Sequence, residues 1–113
     1  MDPKAIIFWV YLGVAGVMAV TGVPFLLGRV PPNPFYGLRV GKTLGDPAAW
    51  YAGNRFMSWR MLWAAGLTAS VATAAYALLP GLGLAAYAMT SLAATLGGVG
   101  FALVQTLRFL RRQ

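Results

Sequence analysis

The chain has 113 residues, enough for one domain, and its 9 Lys and Arg against 2 Asp and Glu give a formal net charge of +7. Its hydrophobic fraction is 59% and only 10% of its residues are charged, which excludes an ordinary soluble domain because such a domain needs more polar surface. The absence of Cys and His excludes disulfides, thiolate nucleophiles, imidazole bases and the usual zinc and haem sites.

The apolar residues form three long blocks without Asp, Glu, Lys or Arg, at residues 5–28, 61–79 and 82–107. Crossing the hydrocarbon core of a bilayer takes about 20 helical residues. The first block is too long for the apolar region of a signal peptide, and no Ala-x-Ala site closes it. We therefore predict an all-α membrane protein of a single membrane domain, residues 1–113, with spans at about 5–28, 59–79 and 82–107 and a structured cytoplasmic loop at about 29–58.

Two Asp-Pro pairs mark predicted helix starts. Asp2-Pro3 precedes the first span and Asp46-Pro47 lies late in the loop. In both pairs Asp suits the N-cap and Pro suits the first helical position. We expect residues 47–56 to form a short interfacial helix between the first and second spans. A straight continuation of the second span through these residues is the competing interpretation.

Basic residues are concentrated on one side of the predicted membrane domain. The N-terminus and the turn at Pro80-Gly81 share a side that carries only Lys4, offset by Asp2. The other side carries Arg29, Arg39, Lys42, Arg55, Arg60, Arg108, Arg111 and Arg112. Cytoplasmic loops are enriched in Lys and Arg, so we predict an external N-terminus and a cytoplasmic C-terminus. Near span ends the nearest partners are anionic lipid headgroups at the cytoplasmic face, and no nucleic acid is expected.

Small residues recur every four positions in the second and third blocks, which the short Pro80-Gly81 turn makes antiparallel neighbours. The third block has Ala86, Thr90, Ala94, Gly98 and Ala102, and the second has Ala65, Ala69, Thr73 and Ala77. Lipid tails give helices no hydrophobic reason to associate, so close packing of small residues matters. We predict that these two faces meet.

The sequence offers little catalytic chemistry. Asp2 and Asp46 are the only carboxylates among its side chains, and the predicted topology puts them on opposite sides of the membrane. A paired-carboxylate site therefore cannot form within one chain, and no serine has a histidine partner. We predict no enzyme, no catalytic residue, no metal site and no cofactor. Transport by this chain alone is not expected either, because the spans carry none of the charged residues that usually line ion pathways.

The predicted loop holds the candidate site. Its residues are Pro32, Asn33, Gly37, Arg39, Lys42, Thr43, Trp50, Asn54 and Arg55, which we expect to bind a partner or lipid. Prolines make the entry rigid and glycine permits a turn. We expect Asn33 and Asn54 to tie the loop backbone together, and Arg39 or Arg55 to hold Asp46. The same residues also fit a purely structural role, in which they fold the loop against the membrane and hold lipid phosphates.

The order of these residues resembles the SdpI/YfhL family of bacterial integral membrane proteins, in its short, three-span form. That pattern runs Pro-Pro-Asn, Gly-x-Arg, Thr, Trp and Asn-Arg, and here it appears as Pro31-Pro32-Asn33, Gly37 and Arg39, Thr43, Trp50, and Asn54-Arg55. The family often has Gly shortly after the Asn-Arg pair, where this chain has Met57-Ser58.

The resemblance implies a small non-catalytic protein of the bacterial inner (plasma) membrane, linked to immunity against a membrane-active peptide. For a signalling member it also implies capture of a cytoplasmic repressor. The expected partners are therefore membrane lipids and another membrane protein or a small cytoplasmic protein. Two alternatives remain open: a structural accessory subunit of a larger bacterial membrane protein complex, and a lipid-binding scaffold.

Overall fold

The computed structural model describes residues 1–112, which form helices and no strand. Helices α1, α2, α3 and α4 run over Pro3–Leu26, Gly41–Gly45, Pro47–Leu78 and Leu84–Arg111. By length and composition α1, α3 and α4 can each cross a membrane. The prediction of an all-α protein with three spans and a short helix between the first and second is therefore confirmed, and the chain is a multi-pass membrane protein.

Both predicted Asp-Pro helix starts are present. The Asp2 carboxylate accepts a hydrogen bond from the Lys4 amide at 3.3 Å, and the Asp46 carboxylate accepts one from the Ala48 amide at 3.1 Å. The short helix, however, is α2, and residues 47–56 belong to the first turns of α3. The straight continuation of the second span is thus the interpretation that holds there.

Helix α3 is longer than a bilayer requires. Its 32 residues make it about 48 Å long at 1.5 Å per residue, against about 30 Å of hydrocarbon. Helix α1 ends at the level of Arg55, whose Nε donates to the Leu26 carbonyl at 3.3 Å. The first turns of α3 therefore project past α1. We call this end of the molecule, which also holds α2 and the last turn of α4, the loop end.

Helix α3 lies between α1 and α4 and packs along both, whereas α1 and α4 have little contact with each other. Near the loop end Gly22 of α1 faces Ser58 of α3, and near the other end the Phe8 ring stacks on Tyr76 with centroids 4.7 Å apart. Lys4 Nζ donates to the Leu82 carbonyl at 2.8 Å, which ties the start of α1 to the α3–α4 turn.

Aromatic and polar side chains join α3 to α4 at the loop end. Arg60 Nε donates to Gln105 Oε1 at 2.8 Å, and its guanidinium lies 4.3 Å from the Phe56 ring centroid. The Phe56 ring stacks on Phe109, with centroids 4.4 Å apart. A cation over an aromatic face is stabilising where water is scarce, so this cluster holds the ends of the two helices together.

The predicted contact between α3 and α4 exists, but the four-residue ladder describes only part of it. Ala102 is buried and Ala94 and Gly98 are half-buried, whereas Ala86 and Thr90 are exposed. The other buried residues of α4 are Tyr87, Ser91, Thr106 and Leu110. On α3, Ala65 is buried and Ala69 half-buried, Thr73 and Ala77 are exposed, and the contact instead continues through Ala64, Thr68, Ala72 and Ala75.

Helix geometry explains this difference. A four-residue step turns the chain about 40° beyond a full revolution, so a strict ladder drifts around the helix. A straight contact between two helices must mix three- and four-residue steps. On α4 a three-residue step from Ala94 leads to Ser91, and the next step leads to Tyr87 rather than to Thr90 and Ala86.

Gly98 lies at a close approach of the α3 and α4 backbones. A Cβ added there would lie 3.0 Å from Ala64 Cβ and 3.3 Å from Ala64 Cα, whereas one added at neighbouring Gly97 would meet nothing within 4 Å. Because the Ala64 backbone cannot move aside like a flexible side chain, the contact at position 98 requires glycine.

We predict that Gly98→Leu destabilises the protein by roughly 1–3 kcal/mol, the usual cost of overpacking. Gly97→Leu makes the same change in helix propensity and side-chain volume, and it should have little effect on stability. Thermal unfolding in mild detergent, followed by circular dichroism, measures both. Equal shifts in Tm for the two variants would contradict the assigned contact.

Candidate functional site

The chain leaves α1 in a fixed direction. The Arg29 amide donates to the Pro24 carbonyl at 3.0 Å and the Gly28 amide to the Phe25 carbonyl at 3.2 Å, the two bonds of a Schellman motif. Gly28 has a φ of 68°, in the left-handed region that favours glycine. A Cβ there would lie 3.1 Å from Arg55 Nη2, the end of an exposed side chain that can move aside, so it is the backbone conformation that favours glycine.

Asn33 closes the first turn of the loop on itself. Its Oδ1 accepts hydrogen bonds from the Phe35 and Tyr36 amides, both at 2.9 Å, and its Nδ2 donates to the Pro31 carbonyl at 2.9 Å. Asparagine commonly replaces a backbone partner in this way. The neighbouring Pro32 is exposed.

Trp50 is the core of the loop end. Its side chain is 0% exposed, and its Nε1 donates to the Val30 carbonyl at 2.9 Å. The loop passes over the ring at Gly37, which has a φ of 107°. A Cβ at Gly37 would lie 3.0 Å from both Phe25 Cε1 and Trp50 Cη2, so only glycine allows the loop to close here.

The side chains of Asn54 and Thr43 form hydrogen bonds with backbone groups of the loop. Asn54 Oδ1 accepts from the Leu38 amide at 2.6 Å, and its Nδ2 donates to the Trp50 carbonyl at 3.0 Å. Thr43 Oγ1 accepts from the Val40 amide at 3.0 Å and lies 2.8 Å from the Leu38 carbonyl. The expectation that Asn33 and Asn54 tie the loop backbone together is therefore confirmed.

Arg39, Lys42 and Arg55 are exposed. Arg39 Nη1 donates to the Pro34 carbonyl, Arg55 Nε donates to Leu26, and the Asp46 carboxylate caps α3. The structure thus gives both guanidinium groups and the carboxylate other partners, and the expected pairing of Asp46 with Arg39 or Arg55 is wrong. Backbone carbonyls left free at chain turns are alternative acceptors that charge counting does not reveal.

The predicted site residues therefore divide into two groups. Asn33, Gly37, Thr43, Trp50 and Asn54 fold the loop, and Pro32, Arg39, Lys42 and Arg55 remain at its surface. Sequence reasoning missed the exposed apolar members of the same surface, although a Phe-Tyr pair in a proline-rich loop is a signal that could have found them. Phe35 is 83% exposed, Tyr36 is 51% exposed and Leu44 is 55% exposed.

An open cleft of about 470 Å³ lies between α1, α3 and the loop. Its wall away from the loop includes Met18 and Met61, and Phe25 lines the cleft next to the loop. Arg39 and Ser58 also line it, Arg39 from the loop itself. Sequence reasoning missed this cleft because its walls come from three separate segments of the chain.

We predict that Asn54→Ala raises the hydrogen-exchange rate of the Leu38 amide, because its acceptor is lost and an unsatisfied buried donor costs about 1–3 kcal/mol. Thr43→Val should act chiefly on the Val40 amide. Nuclear magnetic resonance in detergent micelles measures both amides in each variant, so each is the control for the other. Unchanged exchange at Leu38 in Asn54→Ala would contradict the assigned bond.

A comparison with models of known protein families gives a match over the part of the chain that contains the loop. The model of the SdpI/YfhL protein family matches residues 29–107, which cover the loop, α3 and most of α4. Comparisons with curated proteins and with solved structures gave no match. The family match covers more than half of the chain and contains every site residue that the sequence predicted in the loop. The chain belongs to the SdpI/YfhL family.

Proposed function

We propose that this protein is a non-catalytic component of the bacterial inner membrane that binds a partner through its exposed loop residues and so confers immunity to a membrane-active peptide. These residues are Phe35, Tyr36, Arg39, Lys42 and Leu44, and we call them the loop surface. The observation that carries the proposal is that aromatic and basic side chains stand exposed on a loop whose fold is secured by other, buried residues.

The loop surface has the composition of a binding site. Aromatic residues and Arg are enriched at protein interfaces, and clustered exposed apolar side chains mark interaction sites. Trp50 and Asn54 hold the loop from beneath, so displaying Phe35 and Arg39 costs little further ordering when a partner binds. Family membership favours a binding role over catalysis.

We propose that the loop end faces the cytoplasm. The last turn of α4, with Arg108 and Arg111, lies at this end because Leu110 packs against Gly53. Arg39, Lys42 and these C-terminal arginines therefore share one side, while Lys4 at the other end is held by backbone carbonyls. The bias in Lys and Arg supports an external N-terminus.

Single cysteines test this orientation cleanly because the chain has none of its own. Gly81 in the α3–α4 turn and Gly41 at the start of α2 are exposed, and a Cβ at either would meet nothing within 4 Å. We predict that a membrane-impermeant maleimide labels Gly81→Cys in intact cells and labels Gly41→Cys only after permeabilisation. The opposite pattern would contradict the proposed orientation.

We predict that the double variant Phe35→Ser/Arg39→Gln loses protection, measured as survival of cells challenged with membrane-active peptides. Both side chains are exposed, so its Tm should match that of the wild type. Arg112→Gln, an exposed basic residue beyond the loop, is the matched control and should retain protection. Full protection by the double variant would refute the proposed loop surface. Trp50→Ala is unsuitable for this test because it removes the loop core.

A structural subunit of a larger membrane complex is the second candidate. One observation favours it: α4 leaves small residues exposed at Ala86, Thr90, Ala93, Gly97 and Gly100. Such a face lets another helix approach closely. Co-purification of a stoichiometric large partner in mild detergent would favour this candidate over immunity.

A further inference from the structure

The cleft between α1, α3 and the loop has a gradient of polarity. Met18 and Met61 line the part that lies along the spans, away from the loop. Ser58 lies nearer the loop end, opposite Gly22, and Arg39 reaches the cleft from the loop itself. A membrane lipid has the same gradient of polarity when its acyl chain lies along the spans and its headgroup lies at the loop.

Arg39 is the charged side chain that lines the cleft, and a guanidinium group donates hydrogen bonds but cannot accept them. Arg39 uses Nη1 on the Pro34 carbonyl, which leaves other guanidinium N–H groups free, because arginine carries five donors and no acceptor. Ser58 is 5% exposed, and its hydroxyl, like those of Thr21 and Tyr36 in the same lining, can donate or accept a hydrogen bond. The Asn54 carboxamide oxygen, in contrast, is occupied by the Leu38 amide. A ligand headgroup that meets Arg39 therefore has to supply acceptors and negative charge, and the neighbouring hydroxyls can also donate to it.

We propose that this cleft binds one anionic phospholipid from the leaflet at the loop end, with an acyl chain along the methionine wall and its phosphate on Arg39. The cleft volume of about 470 Å³ lies within the usual range of ligand pockets, about 300–1,000 Å³. Methionine suits such an occupant, because its flexible thioether adapts to chains of varied shape. Arginine suits it because its planar guanidinium can bind two phosphate oxygens at once.

Charge complementarity favours this occupant over a membrane-active peptide of the common cationic type. Arg39 lies at the cleft and Arg29 and Lys42 lie on the same loop, so a cationic ligand would be repelled. Anionic lipids of the cytoplasmic leaflet attract basic groups with about 1 kcal/mol per residue. The cleft and the loop surface share Tyr36 and Arg39, but Phe35, Lys42 and Leu44 belong to the loop surface alone, so a substitution at Phe35 separates this inference from the proposed immunity.

Two pairs of variants test whether the cleft binds lipid, one pair on α1 and one pair of arginine substitutions, and each pair has a matched control. Thr21 lines the cleft and is exposed, so Thr21→Trp should fill the cleft without entering the α1–α3 contact. Val20 is 71% exposed and does not line the cleft, so Val20→Trp is its matched control. Arg39→Gln removes the headgroup contact, and Arg112→Gln removes an exposed charge elsewhere.

The measurement is native mass spectrometry of the full chain in mild detergent with equal amounts of phosphatidylglycerol and phosphatidylcholine added. We expect the wild type, Val20→Trp and Arg112→Gln to retain one phosphatidylglycerol in preference to phosphatidylcholine. Thr21→Trp should retain neither lipid. Arg39→Gln should lower the preference about five-fold, the effect of one basic residue at an anionic headgroup.

Three outcomes would overturn the proposal: equal retention of the two lipids by the wild type, retention by Thr21→Trp equal to that of Val20→Trp, or an equal loss of preference in Arg39→Gln and Arg112→Gln. Arg39→Gln keeps the test decisive if Thr21→Trp fails to fold, because Arg39 is exposed. Phe35→Ser separates this inference from the proposed immunity, since it alters the loop surface outside the cleft and should leave lipid retention unchanged.

Discussion

Helix α3 is longer than the hydrocarbon core of a bilayer is thick, and the other features of the loop end depend on that excess length. A helix that ended at the membrane boundary would leave the loop no apolar surface to fold on. The extra turns carry Trp50 and Asn54, which supply a buried ring and a paired amide at the level of the loop. The last turn of α4 supports the same turns through Leu110, whose side chain occupies the space that a Cβ at Gly53 would need.

This arrangement explains why so much of the family motif is structural. A loop beside the membrane must pair its backbone amides within the protein, because unpaired polar groups are costly where water is scarce. Asn33, Thr43 and Asn54 accept hydrogen bonds from four of those amides. Gly37 lets the chain pass over the Trp50 ring. The motif therefore specifies mainly a loop fold. Of the side chains free for recognition, Arg39 is a motif member, and Phe35, Tyr36, Lys42 and Leu44 lie between motif positions.

After Asn54-Arg55 this chain has Met57-Ser58, where the family often has Gly, and the packing of α1 on α3 explains why Ser58 fits there. Ser58 faces Gly22, and a Cβ at Gly22 would lie 3.5 Å from Ser58 Cβ, so α1 and α3 approach closely at this level. A small residue is required there on each helix, and serine is small enough to meet that need. Serine also adds a hydroxyl at the cleft, which glycine would not provide.

The sequence by itself determined the three spans, both Asp-Pro helix starts and the role of Asn33, because hydrophobic block length, capping and local side-chain-to-backbone hydrogen bonding act over a few residues. It also predicted that Asn54 ties the loop, but tertiary structure decided its partner, because the Leu38 amide lies 16 residues away in the chain. Tertiary structure alone decided the features that join distant segments. It shifted the α4 contact from Ala86 and Thr90 to Tyr87 and Ser91, because the twist of the helix forbids a long four-residue ladder. It gave Arg39 and Arg55 carbonyl partners rather than Asp46, and it built the cleft from α1, α3 and the loop. Local rules cannot predict such contacts, since each depends on how two or three separate segments approach in space.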